Sequence, residues 1–475
     1  MKKFQFQKMR TISPERQDHK YLWHPFTQMR DWLKTEPIVL TKGKGSILWD
    51  NKGREFLDAN SSIWTNLHGH NHPKINRAIN DQLKKVSHVS ALGFSNVPAS
   101  KLGEQLVRLA NPKKLLNKSQ PRLEKVFFSD DGSTSIEVAI KLSYEFAKRT
   151  GASRKPRFLS LEGAYHGDTV GAVSAGHIDL FHKAYSGLLF KTDKVISPYC
   201  YRCPFNKAAP ERADARSYRI CNMECATQVE QKFEQRKKKG GNYAAFLVEP
   251  GMQGPAGLIA QPKNWLSKVA DIARNHNAQI IADEVMTGLG RASKQIFASH
   301  SDKVQPDYLC IAKGLSGGYL PMAATITTQK VFDAFLGDYS EFKTFFHGHS
   351  FTGNPLGAAA SLASIELLES KKGQRIQLAK NIKEYSKKLW ELETVGDMRQ
   401  SGCVLGIELV RNWKTKEPFN LTVQAGIRVC AELAKKGILT RPIGNVIVVM
   451  PPYCTTKAQI KKIFSTLHEI IDEIL

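Results

Sequence analysis

The sequence is short of acid: its 475 residues hold 69 Lys and Arg against 44 Asp and Glu, a formal net charge of +25. An excess of that size first points to a polyanion, either nucleic acid or an anionic membrane surface. Other absences narrow the choice. No stretch reaches the ~18 apolar residues of a membrane-crossing helix, so no membrane partner is expected. The opening MKKFQFQKMRTISPERQ is basic but lacks the apolar core of about seven residues that a secretory signal needs. Glu15, Asp18 and the scarcity of Ser and Arg set it apart from an amphipathic targeting peptide. There is no internal repeat and no long low-complexity segment, and no nucleic-acid recognition motif. The basic residues are dispersed, and the run Arg236–Lys239 reads as a solvated helix face, so no nucleic-acid partner is expected either. A composition 41% hydrophobic and 24% charged belongs to a folded globular chain and excludes a disordered one. Without a secretion signal, the eight cysteines read as reduced thiols in a cytoplasmic protein.

What is present is an alternation of apolar runs and amphipathic stretches. Strands are expected over 123–129, 157–163, 242–250, 278–285, 306–315 and 321–328, with helices over 136–149 and 265–277. Such alternation predicts an α/β architecture with a mainly parallel, doubly wound sheet, whose ligands sit at the ends of the strands. The two termini read as a smaller α/β domain. Residues 36–58 resemble a hairpin; helices are expected near 354–371, 376–394 and 456–475, and strands at 406–410 and 445–452. The expected division is 1–75 and 351–475 for the small domain and 76–350 for the large one. A long polar insertion, 199–241, carries Cys200, Cys203, Cys221 and Cys225.

Four features carry chemistry. Lys313 lies after an apolar strand and before a Gly-rich loop; partial desolvation there frees a neutral amine able to form a Schiff base, although most lysines are surface residues. Asp283 ends the run AQIIAD, where a carboxylate is costly unless paired; a protonated ring nitrogen, a salt bridge and a helix cap are the candidate partners. In SDDGSTSIE (129–137) a strand gives way at Gly132 and Ser133 to a helix, whose free N–H groups suit a phosphate or an ordinary capping box. Tyr165, beside His166, could stack on a flat ring or belong to the core.

Taken together, the stretches FFSDDGSTSIEVAIK, YHGDTVGAVS, EPGMQGPAG, DEVMTGLGR, AKGLSGGYLPMAA and HGHSFTGNPLGAAAS resemble the class III pyridoxal-phosphate aminotransferases over nearly the whole chain. LWHPFTQM, SSIWTNLHGHNHP and LTRPIGNVIVVMPPY resemble the branch of that class that serves biotin synthesis. The resemblance implies fold type I, pyridoxal 5'-phosphate as cofactor and ping-pong amino transfer to 8-amino-7-oxononanoate. It also implies a homodimer with shared active sites. Lys313 would hold the cofactor through its amine, Asp283 would pair with the ring nitrogen, Gly132 and Ser133 would take the phosphate, and Tyr165 would stack on the ring. His349 and Ser350 would reach the phosphate in the partner subunit's site, with Gly348 near substrate. Phe26, Ile63, Trp64 and Tyr165 would line the substrate pocket with Lys313, Arg441 would bind the acceptor carboxylate, and Arg291 is a weaker substrate contact.

Three positions depart from that branch. Phe26 replaces a tyrosine, Ile63 a tryptophan and Val448 a tyrosine, which leaves fewer flat or polar surfaces for an adenine. Of the two amino donors, S-adenosylmethionine and L-lysine, this favours lysine slightly. Another ω-amino acid transaminase of the same class is the alternative function, and a nucleic-acid-binding protein the alternative from a different class. The spacings Cys200-x2-Cys203 and Cys221-x3-Cys225 are compatible with a four-thiolate zinc site, but amino transfer needs no metal and none is assigned. The positive field remains as a steering term for two anions, the cofactor phosphate and the acceptor carboxylate.

Overall fold

Runs of apolar, β-branched and aromatic residues with no helical period become strands buried on both faces. In the computed structural model, which describes residues 12–113, 120–153 and 155–475, these runs form one seven-stranded sheet. The basic stretch up to residue 11 lies outside the described residues. In spatial order the strands are Leu123–Ser129, Ala323–Thr328, Tyr308–Ile311, Gln279–Asp283, Tyr243–Val248, Arg157–Leu161 and Asp193–Val195. Pairing is parallel from Tyr308–Ile311 outward to Asp193–Val195, with Ile281 opposite Tyr308 and Ile280 opposite Phe246. Ala323–Thr328 runs antiparallel to both its neighbours. The connection 312–322 is too short for a crossover helix, and part of it is taken up by a tight turn at Lys313–Ser316, so the chain returns antiparallel. The other strands of the sheet all point the same way. Their carboxyl ends bring Ser129, Glu249, Asp283 and Lys313 to one edge.

Both ends of the chain meet in a second sheet. Residues 36–58 form a three-stranded meander, Leu40–Lys44, Ile47–Asp50 and Glu55–Asp58, rather than a single hairpin; Gly45 and Gly53, with φ of 59° and 77°, make the two turns. Ile438–Leu439 joins this meander in parallel beside Leu57 and Asp58. A further sheet is built from Val395–Ser401, Val404–Asn412, Val446–Val449 and Pro442–Ile443. Helices Pro355–Ser370, Lys372–Tyr385 and Lys457–Ile474 complete the smaller α/β unit. Among the described residues, no helix is long and apolar enough to cross a membrane.

The strand Val395–Ser401 was not anticipated, because its sequence VGDMRQS is polar. Asp397, Arg399 and the facing Glu408 are nevertheless buried. Arg399 donates to Asp397 Oδ2 at 3.0 Å, to Glu408 Oε2 at 2.5 Å and to the carbonyls of Leu258 and Gly257. The polar insertion plugs into the same network, since Arg202 Nε meets Glu408 Oε1 at 2.7 Å and the Tyr199 hydroxyl also donates to Glu408. Arg216 and the Ala215 amide reach Gln400 O and Asp397. The insertion is therefore docked onto the small unit and not a free loop. Burial opposes the charge of Glu408, but Arg399 and Arg202 outweigh it and hold its carboxyl below the usual range.

Removing Arg399 takes away the one buried cation that Asp397 and Glu408 share. Arg399→Met is expected to lower the unfolding free energy by about 3–5 kcal/mol, read from the midpoint of urea unfolding. A loss below about 1 kcal/mol would mean the network contributes no more than an exposed pair.

Candidate active site

Two carboxyl groups, an amine and a helix N-terminus converge on a cavity of about 450 Å3 at the carboxyl edge of the large sheet. Asp283, at the tip of the central strand, is 6% exposed. Its Oδ2 lies 2.7 Å from His166 Nδ1, and its Oδ1 accepts from the Val285 amide at 3.0 Å. The second His166 nitrogen has no hydrogen-bond partner. Glu249, at the tip of the adjacent strand, accepts from the Tyr165 amide at 3.2 Å and the Gly254 amide at 2.7 Å.

The helix Gly132–Arg149 starts at this edge. Asp131 caps it, accepting from the Thr134 amide at 2.9 Å, while the Asp131 amide donates back to Thr134 Oγ1. The first amides of such a helix have no intrahelical acceptor and favour an anion. Glycine is required at 132: a Cβ there would lie 2.6 Å from Val285 Cγ1, against the strand end that carries Asp283. Ser133 Oγ accepts from the Asp168 amide at 3.3 Å, which leaves its proton free for the same anion.

Lys313 follows the strand Tyr308–Ile311 with a left-handed backbone, φ 42°, that turns its side chain into the cavity. Burial lowers its pKa, although Asp283 and Glu249 pull the other way. Its Nζ sits 5.0 Å from the centre of the Trp64 ring. That ring is placed by an unusual turn in which Ser61, Ser62, Ile63 and Trp64 all have positive φ, between 48° and 70°. Such a run is strained and needs support. Asp58 supplies it, accepting from the amides of Asn60 and Ser62 and from the Ser62 hydroxyl, while Ser61 donates to Met450 O at 2.7 Å.

Tyr165 lines the cavity; its hydroxyl donates to Asp168 Oδ2 at 2.6 Å, and its ring lies nearly parallel to His182. Burial and Asp168 push that hydroxyl's pKa upward. Asp168 and His182 also line a neighbouring cavity of about 760 Å3 with Phe26, whose ring meets Phe181 edge-on. Ile63 is half-exposed. Val448 is buried in a cluster with Trp64, Met286 and Met450, so it supports the pocket from below and does not line it.

Besides Phe26, Ile63 and Trp64, five residues expected at the site lie outside this cavity's walls. Gly348 and Ser350 are exposed, and His349 Nδ1 lies 2.8 Å from Asp130 Oδ2 of its own chain. Arg441 is exposed, directly before the strand Pro442–Ile443, and Ile443 packs on the Trp64 cluster. Arg291 is corrected by the structure. It is 1% exposed, donates to Pro451 O and Asn66 O at 2.9 and 2.7 Å, and lies over the Tyr453 ring. Both terminal nitrogens of its fork tie the Trp64 loop to Pro451, and its burial keeps it from a substrate. Glu249, His166, Asp58 and Asp168 were not singled out from the sequence; Glu249 alone had a readable signal, as an acid ending the buried run YAAFLV.

The set fits a flat phosphorylated aldehyde. The helix start would suit the phosphate, Asp283 a protonated ring nitrogen, and Lys313 the aldehyde. Comparison with known proteins agrees. The aminotransferase class-III family profile matches residues 29–471. An adenosylmethionine-8-amino-7-oxononanoate aminotransferase of Geobacter sulfurreducens is 43% identical over 459 residues, covering 96% of this chain and 97% of the relative. The crystal structure of the enzyme of that name from Methanocaldococcus jannaschii superposes with a TM-score of 0.87 at 37% identity, covering 97% of this chain and 98% of the other. A PLP-bound amine transaminase from an uncultivated Pseudomonas species superposes at 0.85 with 28% identity, covering 96% and 99%.

Burial pushes Glu249 up to about 7 from 4.5, against the pull of His166. A carboxyl raised in this way favours folding while protonated, and that advantage is lost as pH climbs from its unfolded value through the folded one. Glu249→Gln carries a constant cost, since one amide then faces an NH2, so only the pH-dependent part is informative. Relative to the wild type, the variant is expected to gain roughly 1–3 kcal/mol of unfolding free energy between about pH 5 and pH 8. A difference in urea unfolding that does not grow with pH would contradict the assignment.

Proposed function

We propose that this chain, which belongs to the class III aminotransferases and uses pyridoxal 5'-phosphate, transfers an amino group to 8-amino-7-oxononanoate to give 7,8-diaminononanoate, a step of biotin synthesis. The observation that carries the reading is Arg441. Its exposed guanidinium stands beside a strand that packs on the cluster holding Trp64, and Trp64 in turn faces Lys313. An acceptor anchored by its carboxylate on that fork can lay its hydrocarbon chain along apolar walls with its ketone near Lys313 Nζ. The printed names of the Geobacter and Methanocaldococcus relatives support the same acceptor.

When bound, pyridoxal phosphate supplies an electron sink for the charge left by proton removal. The chain's residues do the rest. Gly132 and Ser133 would hold the phosphate end, Asp283 with His166 behind it would pair with the ring nitrogen, and Tyr165 would flank the ring. Lys313 Nζ, whose pKa burial lowers, would take a proton from the donor carbon and return it to the carbon on the far side of the transferred nitrogen. The donor product leaves before the acceptor enters, which is a ping-pong sequence.

For the donor, S-adenosylmethionine is the first reading. Val448 lies beneath the pocket and drops out of the case for lysine, and the Phe26–Phe181 pair offers an aromatic wall beside Tyr165. The relatives' names point the same way. Lysine is the second reading, favoured by Ile63, which gives no flat surface. With 8-amino-7-oxononanoate as acceptor, S-adenosylmethionine should yield diaminononanoate at a higher rate than lysine, and product from lysine alone overturns the donor assignment. Arg441→Ala is expected to raise KM for the acceptor by about 10–100-fold with little change in kcat. An unchanged KM would point to another acceptor of the same class.

A homodimer belongs to the same proposal. Leu92, Phe94, Phe346 and Phe351 are 83%, 71%, 75% and 58% exposed, and the last two flank Gly348, His349 and Ser350. Apolar exposure on that scale supports an interface between two copies, across which His349 and Ser350 would reach the partner's phosphate. Sedimentation should give a two-chain species, whereas a fully active monomer contradicts shared sites.

A further inference from the structure

Amino transfer leaves the polar insertion unexplained, above all its four cysteines. The fold gathers two distant pairs. Asn206 clamps them, its Nδ2 donating to Cys200 O at 3.0 Å while its Oδ1 accepts from the Ile220 amide at 2.9 Å, next to Cys221. The Lys207 amide closes the same junction on Ile220 O. The Asn206 amide also donates to Cys203 O at 3.2 Å, so both residues of the first pair meet the clamp. Cys200 and Cys225 are buried, Cys203 and Cys221 half-buried, and all four are free. The first part of the segment has only a small apolar cluster of its own, Cys200, Tyr201 and Ala215 with Tyr199 and Tyr218 against it, while the helix Glu224–Lys238 packs into a larger core through Cys225, Ala226, Val229 and Phe233.

We propose that Cys200, Cys203, Cys221 and Cys225 form a four-thiolate site for zinc that fastens the insertion. Three neighbours suit thiolate ligands. Arg219 Nη1 lies 3.2 Å from Cys221 Sγ. Cys225 stands in the first turn of the helix Glu224–Lys238, where the dipole favours negative charge. The indole N–H of Trp265, fully buried in the same core cluster as Cys225, lacks an acceptor and favours the Cys225 thiolate. Metal-bound thiolates commonly accept such second donors. On binding, four S–Zn bonds form as four thiol protons leave to solvent, and the zinc keeps its oxidation state. The resulting double negative charge is offset by Arg219 and the helix start.

As they stand, no three His, Cys, Asp or Glu side chains among the described residues are set at ligating distance. Cys203 and Cys221 lie in irregular backbone on either side of the Asn206 clamp, and they are the pair the metal draws inward.

The test is elemental analysis of the full-length holoenzyme by plasma mass spectrometry after reduction, zinc supply and desalting. About one zinc per chain is expected, released stepwise by a mercurial that titrates thiols. Cobalt in its place should give thiolate charge-transfer absorption and tetrahedral visible bands. Cys203→Ser/Cys221→Ser is expected to fall below about 0.1 zinc per chain while still binding pyridoxal phosphate. The proposal is overturned by wild-type protein that holds less than about 0.1 equivalent and gives no cobalt bands. Zinc fully retained by the double variant, or a disulfide among the four cysteines in a peptide map of protein purified without reductant, overturns it equally.

Discussion

A carboxylate buried at the tip of the central strand organises this molecule's edge. Asp283 can stand there because His166 holds one oxygen and the Val285 amide the other. Without such partners its charge would cost several kcal/mol in that setting. Its neighbours follow from it. Gly132 must lack a side chain because Val285, two residues beyond Asp283, fills the space a Cβ would need. The carboxylate favours the charged form of Lys313 while burial favours the neutral one, so the amine is poised between them. Glu249 shares the low-dielectric pocket and is pushed toward its neutral form, partly by Asp283 itself.

Strain is spent where the reactive amine is aimed. Lys313 and the four residues Ser61–Trp64 adopt left-handed backbone, and each would relax if unsupported. Their supports are long-range. Asp58 comes from the N-terminal meander, Met450 from the C-terminal sheet, and Arg291 ties Asn66 to Pro451. The N-terminal meander and the C-terminal sheet thus frame Trp64 against Lys313.

The sequence made the large sheet legible because its strands are continuous apolar runs between glycine-rich turns, and their buried ends announced Lys313 and Asp283. It concealed the strand Val395–Ser401, whose buried Asp and Arg read as surface residues until Glu408, Tyr199 and Arg202 supply their partners from elsewhere. Arg291 misled for the converse reason: an arginine at the end of a site motif invites a substrate, but its partners are two carbonyls 160 and 225 residues away. The left-handed turn at Ser61–Trp64 carries no glycine and so gave no signal. The surplus of base, which first suggested a polyanion, leaves the chemistry to a few cations, Lys313 and Arg441 foremost, and supplies a field in which a phosphate and a carboxylate are both attracted.

Asp283 is the group proposed to keep the cofactor's ring nitrogen protonated. Nitrogen-15 NMR of holoenzyme carrying ring-labelled pyridoxal phosphate reads that proton directly. The wild type should show the shift of a protonated ring nitrogen, and Asp283→Asn, with the cofactor still bound, that of an unprotonated one. A shift that is the same in both proteins would contradict the account.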